Sequence, residues 1–84
     1  MNRKKERLES IVMKIHFRNG GGPVDMDWTS RLLSGALILD SLDLAEVVVR
    51  VEKEFGVKPF DGERPPRTWM ELLEVVEGLK QETS

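Results

Sequence analysis

Ile38-Leu39-Asp40-Ser41-Leu42-Asp43-Leu44-Ala45-Glu46-Val47-Val48-Val49-Arg50-Val51-Glu52-Lys53-Glu54-Phe55-Gly56-Val57 is the stretch on which the reading of this chain turns. Asp40 and Ser41 are both residue types that cap a helix N-terminus, since a short side-chain oxygen can accept from an unpaired backbone N–H. Behind them Leu44, Val47, Val48, Val51 and Phe55 recur at i, i+3, i+4, i+7 and i+11, one apolar stripe of a helix. Gly56 ends it. Three consecutive valines form helix poorly, so packing against the rest of the chain must hold this element.

Upstream, Leu8, Ile11, Val12 and Ile15 fall at i, i+3, i+4 and i+7, predicting an amphipathic helix from about Arg3 to Arg18. Asn19-Gly20 is its stop signal, because both types tolerate the left-handed conformation of a C-cap. Gly20-Gly21-Gly22-Pro23 cannot continue it. The segment to Leu39 has no sustained period and reads as a long ordered loop, with one turn after Asp27. Trp28, Leu32, Leu33, Ala36 and Ile38 are available to pin it. Downstream, Pro59, Pro65 and Pro66 allow at most a short helical turn around Asp61 to Arg64. Thr68 and Glu71 then form an S/T-x-x-E capping box. Trp69, Leu72, Leu73, Val76 and Leu79 mark a last amphipathic helix, with Gly78 weakening it and a tail that frays from Lys80. No strand pattern emerges. These elements make a single small helical domain over residues 1–84.

The chain has 84 residues, 39% of them hydrophobic and 33% charged, which suits one folded domain rather than a disordered segment. A net charge of −2 conceals an asymmetry: residues 1–18 sum to +4 and residues 19–84 to −6. The acidic body predicts basic partners and weighs against nucleic acid, whose one foothold is Arg3, Lys4, Lys5 and Arg7. No apolar run approaches the ~20 residues of a membrane span, and nothing resembles a secretory signal, so a cytoplasmic location and no membrane insertion are expected.

Chemistry by the bare chain is narrowly bounded. There is no cysteine, which excludes disulfides, thiolate metal sites and a cysteine nucleophile. A catalytic serine needs a base, and the one histidine, His16, adjoins the first helix stripe, where a structural or solvent-facing role is the simpler reading. The flanks of Ser41 lack a G-x-S-x-G elbow. Asp25, Asp27, Asp40 and Asp43 lack calcium-loop spacing, and the glycine run lacks the G-K-[ST] of a P-loop. No metal is expected. On local physics alone, Ser41 and its acidic neighbours read as a helix start favoured by the dipole, although such a start can also receive a phosphate.

Taken whole, Ile38 to Val57 resembles the acyl carrier protein family, whose signature is Asp-Ser-Leu followed by an acidic amphipathic helix ending in Glu-Glu-Phe-Gly-Ile/Val. Here the match is Asp40-Ser41-Leu42, then Glu52-Lys53-Glu54-Phe55-Gly56-Val57. Length and layout extend the resemblance over the chain. It implies a four-helix bundle with a long first loop and a short third helix. It implies that Ser41 takes 4′-phosphopantetheine from coenzyme A, placed there by a phosphopantetheinyl transferase. The arm's thiol then carries acyl groups as thioesters, for fatty-acid, polyketide or related specialised lipid synthesis. Such a protein is a monomeric tethered substrate and not an enzyme.

Val47, Val51 and Phe55 should point inward, leaving Leu42, Ala45, Glu46 and Val49 outward beside Ser41. In the family this face docks on Arg/Lys patches of the transferase and of acyl-processing enzymes. By resemblance Asp40, Asp43, Glu46 and Glu52 supply the charge, and Leu42 and Val49 the apolar contact. Glu54 reads as a solvated charge. Lys53 and Arg50 depart from the acidic pattern, as do Trp28 and Trp69, for both of which core packing is expected. The apolar lining Val47, Val51, Leu72, Leu73 and Val76 would suit a sheltered acyl chain and equally a plain core. The alternatives are an aminoacyl or peptidyl carrier, which more often has glycines where Ile38-Leu39 stands, and an unmodified helical interaction domain.

Overall fold

The computed structural model describes residues 3–33 and 35–78. They form three helices in a small all-α domain: α1 Arg3–Arg18, α2 Ser41–Phe55 and α3 Trp69–Val76. α1 is the shared partner, packing against both other helices. Arg7 near its start pairs with Glu54 near the end of α2, and Arg18 at its end pairs with Asp43 and Glu46 at the start of α2. The two helices are therefore antiparallel.

The stripes read from the sequence meet in one core. Leu8, Val12 and Ile15 of α1, Val47 and Val51 of α2, and Trp69, Leu72, Leu73 and Val76 of α3 are all buried, with Met26 and Leu32 from the first loop. Each such side chain contributes about 1.5–3 kcal/mol by leaving water. Trp69 is fully buried with its indole N–H lacking an acceptor, while Trp28 packs half-buried on the core and stacks under the Lys5 ammonium, 5.3 Å from its ring centre. Phe55 and Leu44 are half-buried against the same cluster.

The long loop is pinned differently from expectation. Leu32 and Trp28 pack inward, but Leu33, Ala36 and Ile38 are exposed, and Met26, Leu37 and Leu39 take their place. An expected turn after Asp27 is present: the Ser30 N–H donates to the Asp27 carbonyl, and Thr29 donates to its carboxylate through both N–H and hydroxyl. Those two bonds from Thr29 hold the Asp27 carboxyl below its ordinary range. Main-chain bonds from Leu32 to Arg67, from Trp69 to Ser30 and from Met70 to Trp28 stitch the loop to the start of α3.

Three local expectations need correction. A short helix around Asp61 to Arg64 does not form: residues 57–68 hold one turn, closed by Asp61 N–H on the Lys58 carbonyl, then bends. The described residues thus have three helices rather than four. Pro65 and Pro66 leave no N–H to propagate a helix, and each forces extended backbone on the residue before it. The Asn19-Gly20 stop signal holds: α1 ends at Arg18, and Gly20, at φ 95°, takes the left-handed conformation. At α3, Thr68 caps the Glu71 N–H, but the Glu71 carboxylate returns to the N–H of Arg67 rather than to that of Thr68. Gly78, at φ 77°, lies beyond the last helical turn and not within it. Leu79 and the tail from Lys80 lie outside the described residues.

Candidate functional site

The start of α2 is built by Asp40. Its carboxylate accepts from the Asp43 N–H at 2.9 Å, and the Asp43 carboxylate accepts from the Asp40 N–H at 3.1 Å, a reciprocal cap. The Asp40 carbonyl takes the Leu44 N–H. With the cap supplied by Asp40, Ser41 is the first helical residue, and its exposed side chain has no part in closing the helix end. Of the first-turn donors, the N–H groups of Ser41 and Leu42 remain for an incoming acceptor.

Helical spacing sets Leu42, Ala45, Glu46 and Val49 along the outward side of α2. Leu42 is 78% exposed and Val49 49%, with Ala45 exposed and Glu46 half-buried. Asp40 is exposed, and Asp43 and Glu52 are half-buried. Leu42, Ala45, Glu46 and Val49 thus form the outward side of α2 after Ser41, with Asp43 and Glu52 on its opposite flanks and Val47 and Val51 fully buried beneath. A shallow, open depression of about 370 Å³ lies alongside, lined by Asn19, Leu37, Ile38, Leu39, Asp40 and Asp43.

Two residues of that surface are already engaged within the chain. The Arg18 guanidinium donates to both Glu46 oxygens, at 2.9 and 3.1 Å, and to Asp43 at 3.2 Å. Arg50, one turn along α2, donates to Glu46 at 3.1 Å. The Glu46 carboxyl is held below its ordinary range chiefly by Arg18 and then by Arg50. That of Asp43 is lowered first by the Asp40 N–H, then by Asn19 and Arg18, and Arg18 is correspondingly raised. Glu54, expected to be merely solvated, pairs with Arg7.

Sequence reasoning missed what holds the loop before Ser41. Among the described residues His16 is the one buried polar or charged residue, 2% exposed. Its Nδ1 accepts the Ile38 N–H at 2.9 Å, and its Nε2 lies 2.9 Å from the Gly22 carbonyl. Accepting at Nδ1 fixes the proton on Nε2, which donates to Gly22. Asn19 adds a second tie, donating to the Ile38 carbonyl and to Asp43, each at 2.8 Å. The available signal was a histidine one residue past a buried stripe position, followed by glycines small enough to approach its ring.

Among the described residues no cluster of acids and histidine could hold a metal ion, and no helix is long and apolar enough to cross a membrane. No family model matches the chain, and no curated protein or solved structure matches it either.

Proposed function

We propose that this protein is an acyl carrier that bears 4′-phosphopantetheine on Ser41. The observation that carries the reading is the exposed Ser41 hydroxyl at the first position of α2, spared from capping by Asp40, in a segment from Ile38 to Val57 that resembles the carrier signature. The residues fit the group. Ser41 is exposed, and the first-turn N–H groups of Ser41 and Leu42 suit a phosphodiester. When bound, the arm would supply the thiol that a cysteine-free chain lacks, holding acyl groups as thioesters.

The chain's own part is then to present and to be recognised. The Asp40–Asp43 cap holds the serine at a defined helix end, and His16 and Asn19 fasten the residues immediately before it to α1. Leu42, Ala45 and Val49 offer an apolar contact to a transferase and to acyl-processing enzymes, with Asp40, Asp43, Glu46 and Glu52 around them. Contacts of this size steer and orient, and they release quickly. The four-helix form implied by the family would require residues 57–68 to coil further than they do here.

The test is intact-protein mass after incubation with coenzyme A and a promiscuous phosphopantetheinyl transferase. Wild type should gain one phosphopantetheine, and Ser41→Ala none. No gain by a folded wild-type chain, with a control carrier loaded in the same tube, would leave the unmodified interaction domain as the better reading.

A further inference from the structure

Two of the acids on the α2 face, Asp43 and Glu46, are covered by cations. The Arg18 and Arg50 side chains are each 52% exposed, whereas Asp43 is 16% and Glu46 31% exposed beneath them. Two positive groups thus cancel two negative ones and lie outermost. Glu46 stands between Leu42 and Val49 on the helix surface, one turn from each, so this cationic layer borders the apolar contact itself. Asp40 spends one carboxylate oxygen on its cap. An approaching enzyme therefore meets Leu42 and Val49 with the Arg18 and Arg50 guanidinium groups along one flank, and with Asp40 and Glu52 as the carboxylates left uncovered.

We propose, resting on the carrier reading above, that Arg18 and Arg50 are a charge filter on the face beside Ser41. They favour a partner enzyme whose docking surface is an apolar pocket rimmed by carboxylates, and they disfavour one presenting a lysine- and arginine-rich patch. The argument is charge complementarity. A carboxylate on the partner can bond the outward N–H groups of Arg18 or Arg50 without breaking their internal pairs, since a guanidinium carries five donors. An incoming lysine or arginine must instead displace one of them from Glu46 or Asp43. The two cations come from different helices, so the arrangement also depends on α1 and α2 lying antiparallel.

The experiment uses the full chain and a promiscuous transferase with a basic docking surface as the probe. Binding without coenzyme A is measured by biolayer interferometry for wild type, Arg50→Gln and Arg18→Gln/Arg50→Gln, with helix content checked by circular dichroism. The double variant should bind about three- to tenfold tighter at low salt, with the gain shrinking as salt rises. Arg50→Gln, which leaves the link between α1 and α2 in place, should give part of that gain even if the double variant folds poorly. A transferase with a docking arginine changed to glutamate should gain affinity for wild type and lose it for the double variant. Unchanged or weaker binding by Arg50→Gln and by the double variant overturns the filter, as does an absence of binding by every chain. Mass gain on Ser41 is read in parallel. Loading without a change in affinity refutes the filter and keeps the carrier, and a change in affinity without loading does the reverse.

Discussion

At the residue scale, His16 and Gly21 show how a small domain fastens a loop without a disulfide. The imidazole joins the Gly22 carbonyl to the Ile38 N–H, bridging both ends of the first loop to the last turn of α1. A Cβ built on Gly21 would stand 2.1 Å from the ring, which is pinned at both nitrogens and cannot swing aside. Glycine there serves close approach, not an unusual φ. His16→Ala should lower stability by about 2–4 kcal/mol, because it orphans two backbone groups and opens a cavity. Gly21→Ala should destabilise wild type but cost much less in the His16→Ala background, where no ring is struck. A double-mutant cycle from urea unfolding measures the difference, and equal costs in both backgrounds would refute the contact. At the same scale, Ser41 was legible as a chemical candidate, but whether Asp40 or Ser41 caps α2 was not. Both are good caps, and Asp40 takes the role because Asp43 stands three residues on to bond back to its N–H, where a Ser41 cap would meet Leu44.

At the element scale, periodicity placed α1 and α2 well, because long amphipathic stripes leave little freedom in where a helix starts and stops. α3 is the fragile one: eight residues, below the length at which an isolated helix holds in water. It depends on its cap and on its stitching to the first loop. Thr68→Ala should cost about 1 kcal/mol. The loss should appear as faster amide exchange at Glu71, whose N–H the Thr68 hydroxyl accepts at 3.2 Å, with α1 and α2 amides little changed. Uniform acceleration across all three helices would mean that the cap is felt only through global unfolding. Residues 57–68 were harder to read, since a Pro-bounded run is compatible with either a short helix or a turn. The chain takes the turn.

On the scale of the whole molecule, paired charges tie α1 to α2 near both ends. The Asp43 and Glu46 carboxyls are lowered in the fold, so their contribution to stability is present above their ordinary values of 3.8 and 4.5. It is lost as pH falls through the lowered folded values. Arg18→Gln should therefore destabilise the chain at neutral pH and cost progressively less in acid, as pH falls through the lowered folded values of Glu46 and Asp43 and they lose the charge that Arg18 pairs. Urea unfolding at neutral and acid pH checks this, and an unchanged penalty in acid would place the role of Arg18 in packing instead. By itself the sequence determined the helical class, the extents of α1 and α2, the buried stripes and Ser41 as the candidate site. The first three follow from spacing along the chain, which local geometry converts directly into faces and ends, whereas Ser41 stood out through the resemblance of Ile38 to Val57 to the carrier signature. Only the tertiary structure decided that His16 is a buried clamp, that Met26, Leu37 and Leu39 pin the loop in place of Leu33, Ala36 and Ile38, and that Arg18 and Arg50 cover Asp43 and Glu46. Those outcomes join residues 16 and 38, or 18 and 46, and no periodicity encodes which distant groups meet once the helices have packed.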